Sequence, residues 1–164
     1  MSFDVEGHPS PGGSKNAFRN PRTGRIVVVD AGGKKTKVWR QAVAAAGALA
    51  MRGRPLLAAP IGVVFDFRMS RPKAHYHADG RIRRDAPPVP IVRPDATKLQ
   101  RSTEDALTGI VWRDDAEIAE IRTTRAYAFE GSSGVRVTAF TIRFLRDEKQ
   151  TPEDFPSSLR QANK

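Results

Sequence analysis

From Ile61 to Met69, apolar Ile61, Val63, Phe65, Phe67 and Met69 alternate with Gly62, Val64, Asp66 and Arg68. Period-two alternation over that length specifies a strand with one buried and one wet face. A chain holding such a strand must put further strands beside it and a second layer over its apolar face. Two segments have helical spacing. Between Lys35 and Arg52, Val38, Ala42, Ala45 and Leu49 recur three or four residues apart, and Gly53 and Pro55 stop the run. Between Thr97 and Thr108, Leu99, Thr103, Ala106 and Leu107 share a face with Ile110, and Gly109 closes the helix. Phe3 and Val5 predict a short first strand ended by Gly7, and Ile26–Val29 a second. Residues 118–129 and 135–144 flank the turn Glu130–Gly134 as a predicted hairpin. The expectation is an α+β fold, a mixed sheet of about four to six strands packed by two main helices, as one domain over residues 1–145.

The segments between carry breakers and positive charge. Residues 8–24 read as loop, punctuated by Pro9, Pro11, Gly12, Gly13, Pro21 and Gly24 and carrying Lys15, Arg19, Arg22 and Arg25. Residues 70–94 are a long Pro-rich connection with Arg71, Lys73, Arg81, Arg83, Arg84 and Arg93, of a length that usually marks function or disorder. Residues 146–164 read as a flexible tail.

Charge narrows the partners. The 164 residues hold 28 Lys plus Arg against 18 Asp plus Glu, for a net charge of +10. Residues 1–94 hold 17 basic and 6 acidic side chains, whereas residues 95–130 hold 5 and 8. A basic chain suits a polyanion, since its cations neutralise phosphates and release counterions. Carboxylates gathered in one stretch offer hard oxygen ligands for magnesium, or else form a solvated helix face on a nonspecific binder. With no cysteine, disulfides, thiolate catalysis and Cys-ligated zinc are excluded, which fits a reducing, cytoplasmic setting. The longest apolar run, Ala42–Met51, is too short for a membrane span, and no secretory pattern opens the chain.

The acidic stretch begins R-P-D-A-T-K-L-Q-R-S-T-E-D-A-L-T-G-I-V-W-R-D-D-A-E-I from Arg93. On the wheel Lys98, Arg101, Asp105 and Thr108 face away from Leu99, with Thr97 and Glu104 beside them. Spacing admits two readings. In one, Asp95 and Asp115 ligate magnesium, Asp114 is a ligand or supports one, and Arg101 stabilises phosphate charge, the parts that phosphodiester hydrolysis needs. In the other, Asp95 is an N-cap, Asp114–Asp115 a turn, and Arg101–Asp105 a surface pair.

This run resembles the core signature of the RusA family of Holliday-junction resolvases, common in phages and prophages, approximately P-D-x-D-x-L, a basic residue, D-A-L-T-G and D-D-x-x-[VI]. Phe3–Pro11 resembles the family's opening strand and G-x-P-x-P loop, and Phe65–Lys73 its strand leading into an R-P-K turn. The resemblance implies a magnesium-dependent homodimer, with manganese as a substitute, that nicks a four-way DNA junction symmetrically in recombination and repair. It assigns the catalytic carboxylates to Asp95 and Asp115. Arg101 falls where the family often has lysine, keeping the charge but not the ammonium chemistry. Thr97 replaces the second Asp of P-D-x-D, removing one negative charge and leaving a hydroxyl able to hold a water; a junction binder that does not cut is the corresponding alternative. Lys15, Arg19, Arg71, Lys73, His75, Lys98 and Arg101 are the expected DNA contacts.

Other features lead elsewhere. His75 and His77 lack the further ligands that zinc needs. Gly12-Gly13-Ser14-Lys15 lacks the spacing of a nucleotide-binding loop. Trp39 and Trp112 are expected to pack, and the low aromatic content argues against a single-strand binder.

Overall fold

The computed structural model describes residues 1–12, 15–30, 33–129 and 132–143. The tail at 146–164, Gly13–Ser14 and the Glu130–Gly131 part of the expected turn lie outside the described residues. The elements are β1 (Ser2–Glu6), β2 (Lys15–Arg19), β3 (Ile26–Asp30), α1 (Gly33–Met51), β4 (Ile61–Met69), α2 (Ala96–Leu107), β5 (Ile118–Tyr127) and β6 (Gly134–Thr141). Four strands form a mixed sheet in the order β1-β6-β4-β5, so the fold is α+β with two helices, as expected.

Strand β4 is central. It pairs antiparallel with β6 and parallel with β5, and its alternation holds: Ile61, Val63, Phe65 and Phe67 are buried. Val135, Val137 and Ala139 of β6 and Val5 of β1 extend this apolar face, against which Trp39, Leu99, Leu107, Val111 and Trp112 are buried. The other face is polar. Asp4 bonds Arg136 at 3.0 Å and Arg68 at 2.8 Å, and Thr124 donates to Asp66 at 2.6 Å. The Arg136 hydrogen bond holds the Asp4 carboxyl below its ordinary value, against desolvation and with help from Arg68.

Three expectations are corrected. First, β5 and β6 are not a hairpin, because β4 lies between them. The alternating buried residues of β6 suit a central position, whereas β5 has no fully buried residue and takes the edge. Second, the predicted loop at 8–24 contains β2, which pairs with β3 as a separate two-stranded ribbon. Turn residues Pro21 and Gly24 belong to its tip, where Arg25 O and Asn20 N, 2.8 Å apart, close the hairpin. Third, α1 buries Thr36, Trp39, Val43, Gly47 and Met51 and leaves Val38 and Leu49 exposed. Its many alanines make the wheel nearly degenerate, so Trp39 decides the inward face and Gly47 permits close approach to Leu107.

Helix α2 follows the expected pattern more closely, burying Leu99, Thr103 and Leu107 together with Ser102. Both tryptophans are buried, as expected. The connection 70–94 is described throughout and staples itself: Asp79 pairs with Arg81 at 2.7 Å, Asp85 with Arg83 at 2.9 Å, and Arg71 donates to Pro87 O at 3.0 Å.

Gly134 sits where β6 passes between β1 and β4, and a Cβ there would collide with the carbonyl oxygen of Val5. Backbone cannot yield as a side-chain tip does. Gly134→Ala is expected to destabilise the protein by about 2–3 kcal/mol, read as a melting temperature lower by roughly 5–10 °C.

Candidate active site

Helix α2 carries the polar face predicted to do chemistry. Asp95 occupies its N-cap position with extended backbone, but its side chain caps no N–H. The carboxylate instead stands 3.7 Å from Lys98 Nζ, with both side chains about half exposed. Thr97 and Arg101 are exposed and Glu104 half-buried on the outward face. Past the end of the helix, Asp115 Oδ1 accepts a hydrogen bond from the Thr108 hydroxyl and another from Trp112 Nε1 at 3.0 Å. Buried Trp112 therefore fixes the carboxylate through one oxygen, and no described residue donates to Oδ2. Asp114 has a local task, its Oδ1 accepting from Ala116 N at 2.8 Å to cap the short 3-10 turn Asp115–Glu117.

Thr97, Gln100, Arg101, Glu104, Asp105 and Asp115 line one hollow, backed by Gly12. Asp95 lines a neighbouring hollow, and Lys98 borders both. The chain doubles back, with Thr123 donating to Gln100 Oε1 at 2.8 Å and Arg125 donating to Pro94 O at 2.5 Å. The return, however, starts beside Thr108, at the far end of α2 from Asp95. Thirteen residues of helical rise put the two ends about 20 Å apart. Asp95 and Asp115 accordingly line separate, neighbouring hollows of this chain.

Asp105 is also placed differently from the spacing-based alternative. It pairs with Arg40 at 2.6 Å, not with Arg101. Arg101 makes no ion pair with a described residue, which leaves its guanidinium available to the hollow. Glu104 is the residue whose role the sequence did not disclose. Burial raises its carboxyl above the ordinary value; Gln100 opposes this, and the nearby Asp115 and Asp105 carboxylates add to it. Its wheel position beside Arg101 was the only available signal.

The expected DNA contacts divide. Arg71 stacks over Tyr127 at 4.0 Å, and His75 meets the same ring edge-on, its Nδ1 buried without a hydrogen-bond partner. These two residues are built into the base of the long connection. Lys73 and Lys98 are exposed, and Arg19 donates to Gly24 O at 3.0 Å in the ribbon. The side chain of Lys15 lies outside the description.

Among the described residues no three His, Asp or Glu side chains gather into a ready-made cage for a metal. The donor set at the Asp115 end, three carboxylates of which Asp105 is taken up by Arg40, with hydroxyl and amide oxygens near a cation, is nevertheless all hard oxygen. That set suits magnesium, which keeps several waters and takes one or two carboxylates, and does not suit zinc.

The raised Glu104 carboxyl has a signed consequence. Between the ordinary value of 4.5 and its higher folded value, the native state holds more protons than the unfolded one, so this group's contribution to stability falls as pH rises through that window. Glu104→Gln removes the loss. Its melting temperature relative to the unsubstituted protein is expected to increase as pH is raised from 4 to 7 in metal-free buffer; a difference that stays flat or declines contradicts the placement of Glu104.

A family model described as endodeoxyribonuclease RusA matches residues 10–138. No curated protein matches the chain. The match spans well over half of the sequence and includes both ends of α2, the Asp114–Asp115 turn and the central strand. The chain belongs to the RusA family of endodeoxyribonucleases, hydrolases that resolve Holliday junctions.

Proposed function

We propose that this protein is a magnesium-dependent, structure-selective endonuclease that acts as a homodimer in the cytoplasm of a bacterial or phage-infected cell, resolving four-way junctions by paired nicks during recombination and repair. The observation that carries the reading is Asp115, held through Oδ1 by Trp112 and Thr108, in a hollow it shares with unpaired Arg101 and with Glu104. A divalent ion held there would supply an activated water and neutralise the leaving oxygen. Asp115 and Glu104 would offer its carboxylate oxygens. Thr97 lies toward the Asp95 end of the hollow, where its hydroxyl can hold a water. Arg101 stabilises charge on the phosphoryl oxygens, in the role of a fixed cation and not of a proton donor. Lys98 and Lys73 contact neighbouring phosphates, which positions the strand without reading its sequence. Two-fold symmetry in the dimer matches that of the junction.

Asp95 remains the first acid by family correspondence. Its carboxylate is committed to no backbone donor, so it is free to act on the strand. The distance from Asp115 means that both reach one phosphodiester only through movement on DNA or through a second protomer. A junction-binding protein that does not cut is the competing reading, favoured by Thr97 and by this separation.

Nicking of a synthetic four-way junction with magnesium, abolished by chelation, is the test. Asp115→Asn and Asp95→Asn are each expected to slow cutting about 100-fold or more. Cutting restored by mixing the two variants places the acids on different protomers; no restoration places them on one. A folded wild-type protein that binds without cutting, and cuts once Thr97→Asp is introduced, establishes the competing reading. Trp112→Phe keeps the ring but loses the indole N–H, and is expected to weaken magnesium-dependent cutting about tenfold while the protein stays folded.

A further inference from the structure

The hollow next to Asp95 is larger and of a different character from the one at Asp115. It has a volume of about 710 Å³, within the range of small-ligand sites. Pro9, Val38, Trp39, Ala42 and Pro94 make its lining largely apolar. Val38, 65% exposed, faces this hollow and not the core.

Its wall is fixed in advance. Ser10 Oγ and Thr36 Oγ1 are 3.0 Å apart and buried, and Thr36 Oγ1 donates to Pro11 O at 3.0 Å. Gly12 N donates to Lys98 O at 2.9 Å, and Gly7 N to Ser133 O at 2.9 Å. Residues 7–12 are thereby tied to both helices and to the start of β6, and an apolar surface is held open instead of collapsing.

The rim is cationic. Lys34 and Lys35 stand in the first turn of α1, Lys98 in the first turn of α2, and Arg93 just before it. Neither first turn contains an acid, so lysines are added to the positive ends of two helix dipoles. Against these four cations stand the carboxylates of Glu6 and Asp95. Repulsion of that kind is relieved by anions, and an apolar cup with an anion-seeking rim complements a flat heterocycle flanked by phosphates. A second copy of this chain, itself basic, does not offer that charge.

We propose that this hollow takes one unstacked nucleobase from the branch point of the DNA, its flanking phosphates held by Lys34, Lys35, Arg93 and Lys98. The inference rests on the junction substrate proposed above and deepens it: the base seated here sets which phosphodiester lies beside Asp95. Unstacking costs least where pairing is already interrupted, so a branch point presents such a base more readily than linear duplex does. The hollow therefore contributes both preference for branched DNA and bias among cutting positions.

The test uses the full chain and a four-way junction carrying 2-aminopurine at the branch-point nucleotide, at saturating protein with EDTA. Wild-type protein is expected to raise the probe's fluorescence about threefold or more, as a base leaving the stack does. Ala42→Phe fills the hollow, and Val38→Glu places a carboxylate at an exposed position on its edge, where folding is insensitive. Both are expected to lose the rise at saturation, and Val38→Glu to flatten the distribution of cutting positions on a mobile junction with magnesium. No rise with bound wild type, an undiminished rise in Val38→Glu, or a change of oligomeric state in Val38→Glu overturns the proposal; the last shows that the hollow covers a second copy. A wild-type protein that gives the rise but never cuts defeats the nuclease reading while leaving the base-binding hollow standing.

Discussion

The burial of one side of α2 governs what the rest of the molecule can do. Leu99 and Leu107 are fully buried against the sheet and α1, each contributing about 1.5–3 kcal/mol of hydrophobic stabilisation. Thr103 is buried with them, and its hydroxyl is satisfied: it donates to Leu99 O at 3.0 Å and accepts from Trp39 Nε1 at 3.3 Å. A buried hydroxyl without partners is costly, so this pair fixes the rotation of α2 about its axis as well as its position. With 3.6 residues per turn, that rotation leaves Thr97, Arg101 and Glu104 facing outward. Trp112 does the same for the following turn, packing its ring inward while its N–H holds Asp115.

Charge is divided between the two sides of the sheet. On the side away from the helices, Arg68 and Arg136 are taken up by Asp4. In the long connection Arg81 and Arg83 are taken up by neighbouring aspartates. Such exposed pairs add little stability, but they remove these cations from competition for a polyanion. Arg101, Lys34, Lys35 and Arg93 make no ion pair with a described residue and border the two adjoining hollows. These cations form a basic track along the outward face of α2 and the start of α1, with a carboxylate near each end. One hollow is lined by hard oxygen ligands, the other by apolar carbon, which suits a phosphodiester on one side and a base on the other.

Much of this architecture could be read from residue order. The β4 alternation, the inward face of α2, the packing of both tryptophans and the outward position of Arg101 follow from periodicities of two and 3.6, which burial on one side imposes locally. The first-strand alternation at Phe3 and Val5 likewise anticipated β1. The α1 face was not legible, because alanines at Ala42, Ala44, Ala45, Ala46 and Ala48 give the wheel no contrast and one large residue, Trp39, decided it. Strand β2 was masked by the prolines and glycines around it.

Sequence alone determined which side chains can share a helix face and that Ile61–Met69 is a strand with one buried face, since these depend on spacing and on the cost of leaving apolar surface wet. Only the tertiary structure decided strand order, the pairing of Asp105 with Arg40, and the separation of Asp95 from Asp115. Pairing across a sheet and between helices is set by which surfaces fit and which charges meet in space, and a spacing of twenty residues fixes neither. The same reason explains Glu104: its position on the wheel was plain, but its burial comes from packing and the nearness of Asp115 from the turn after α2.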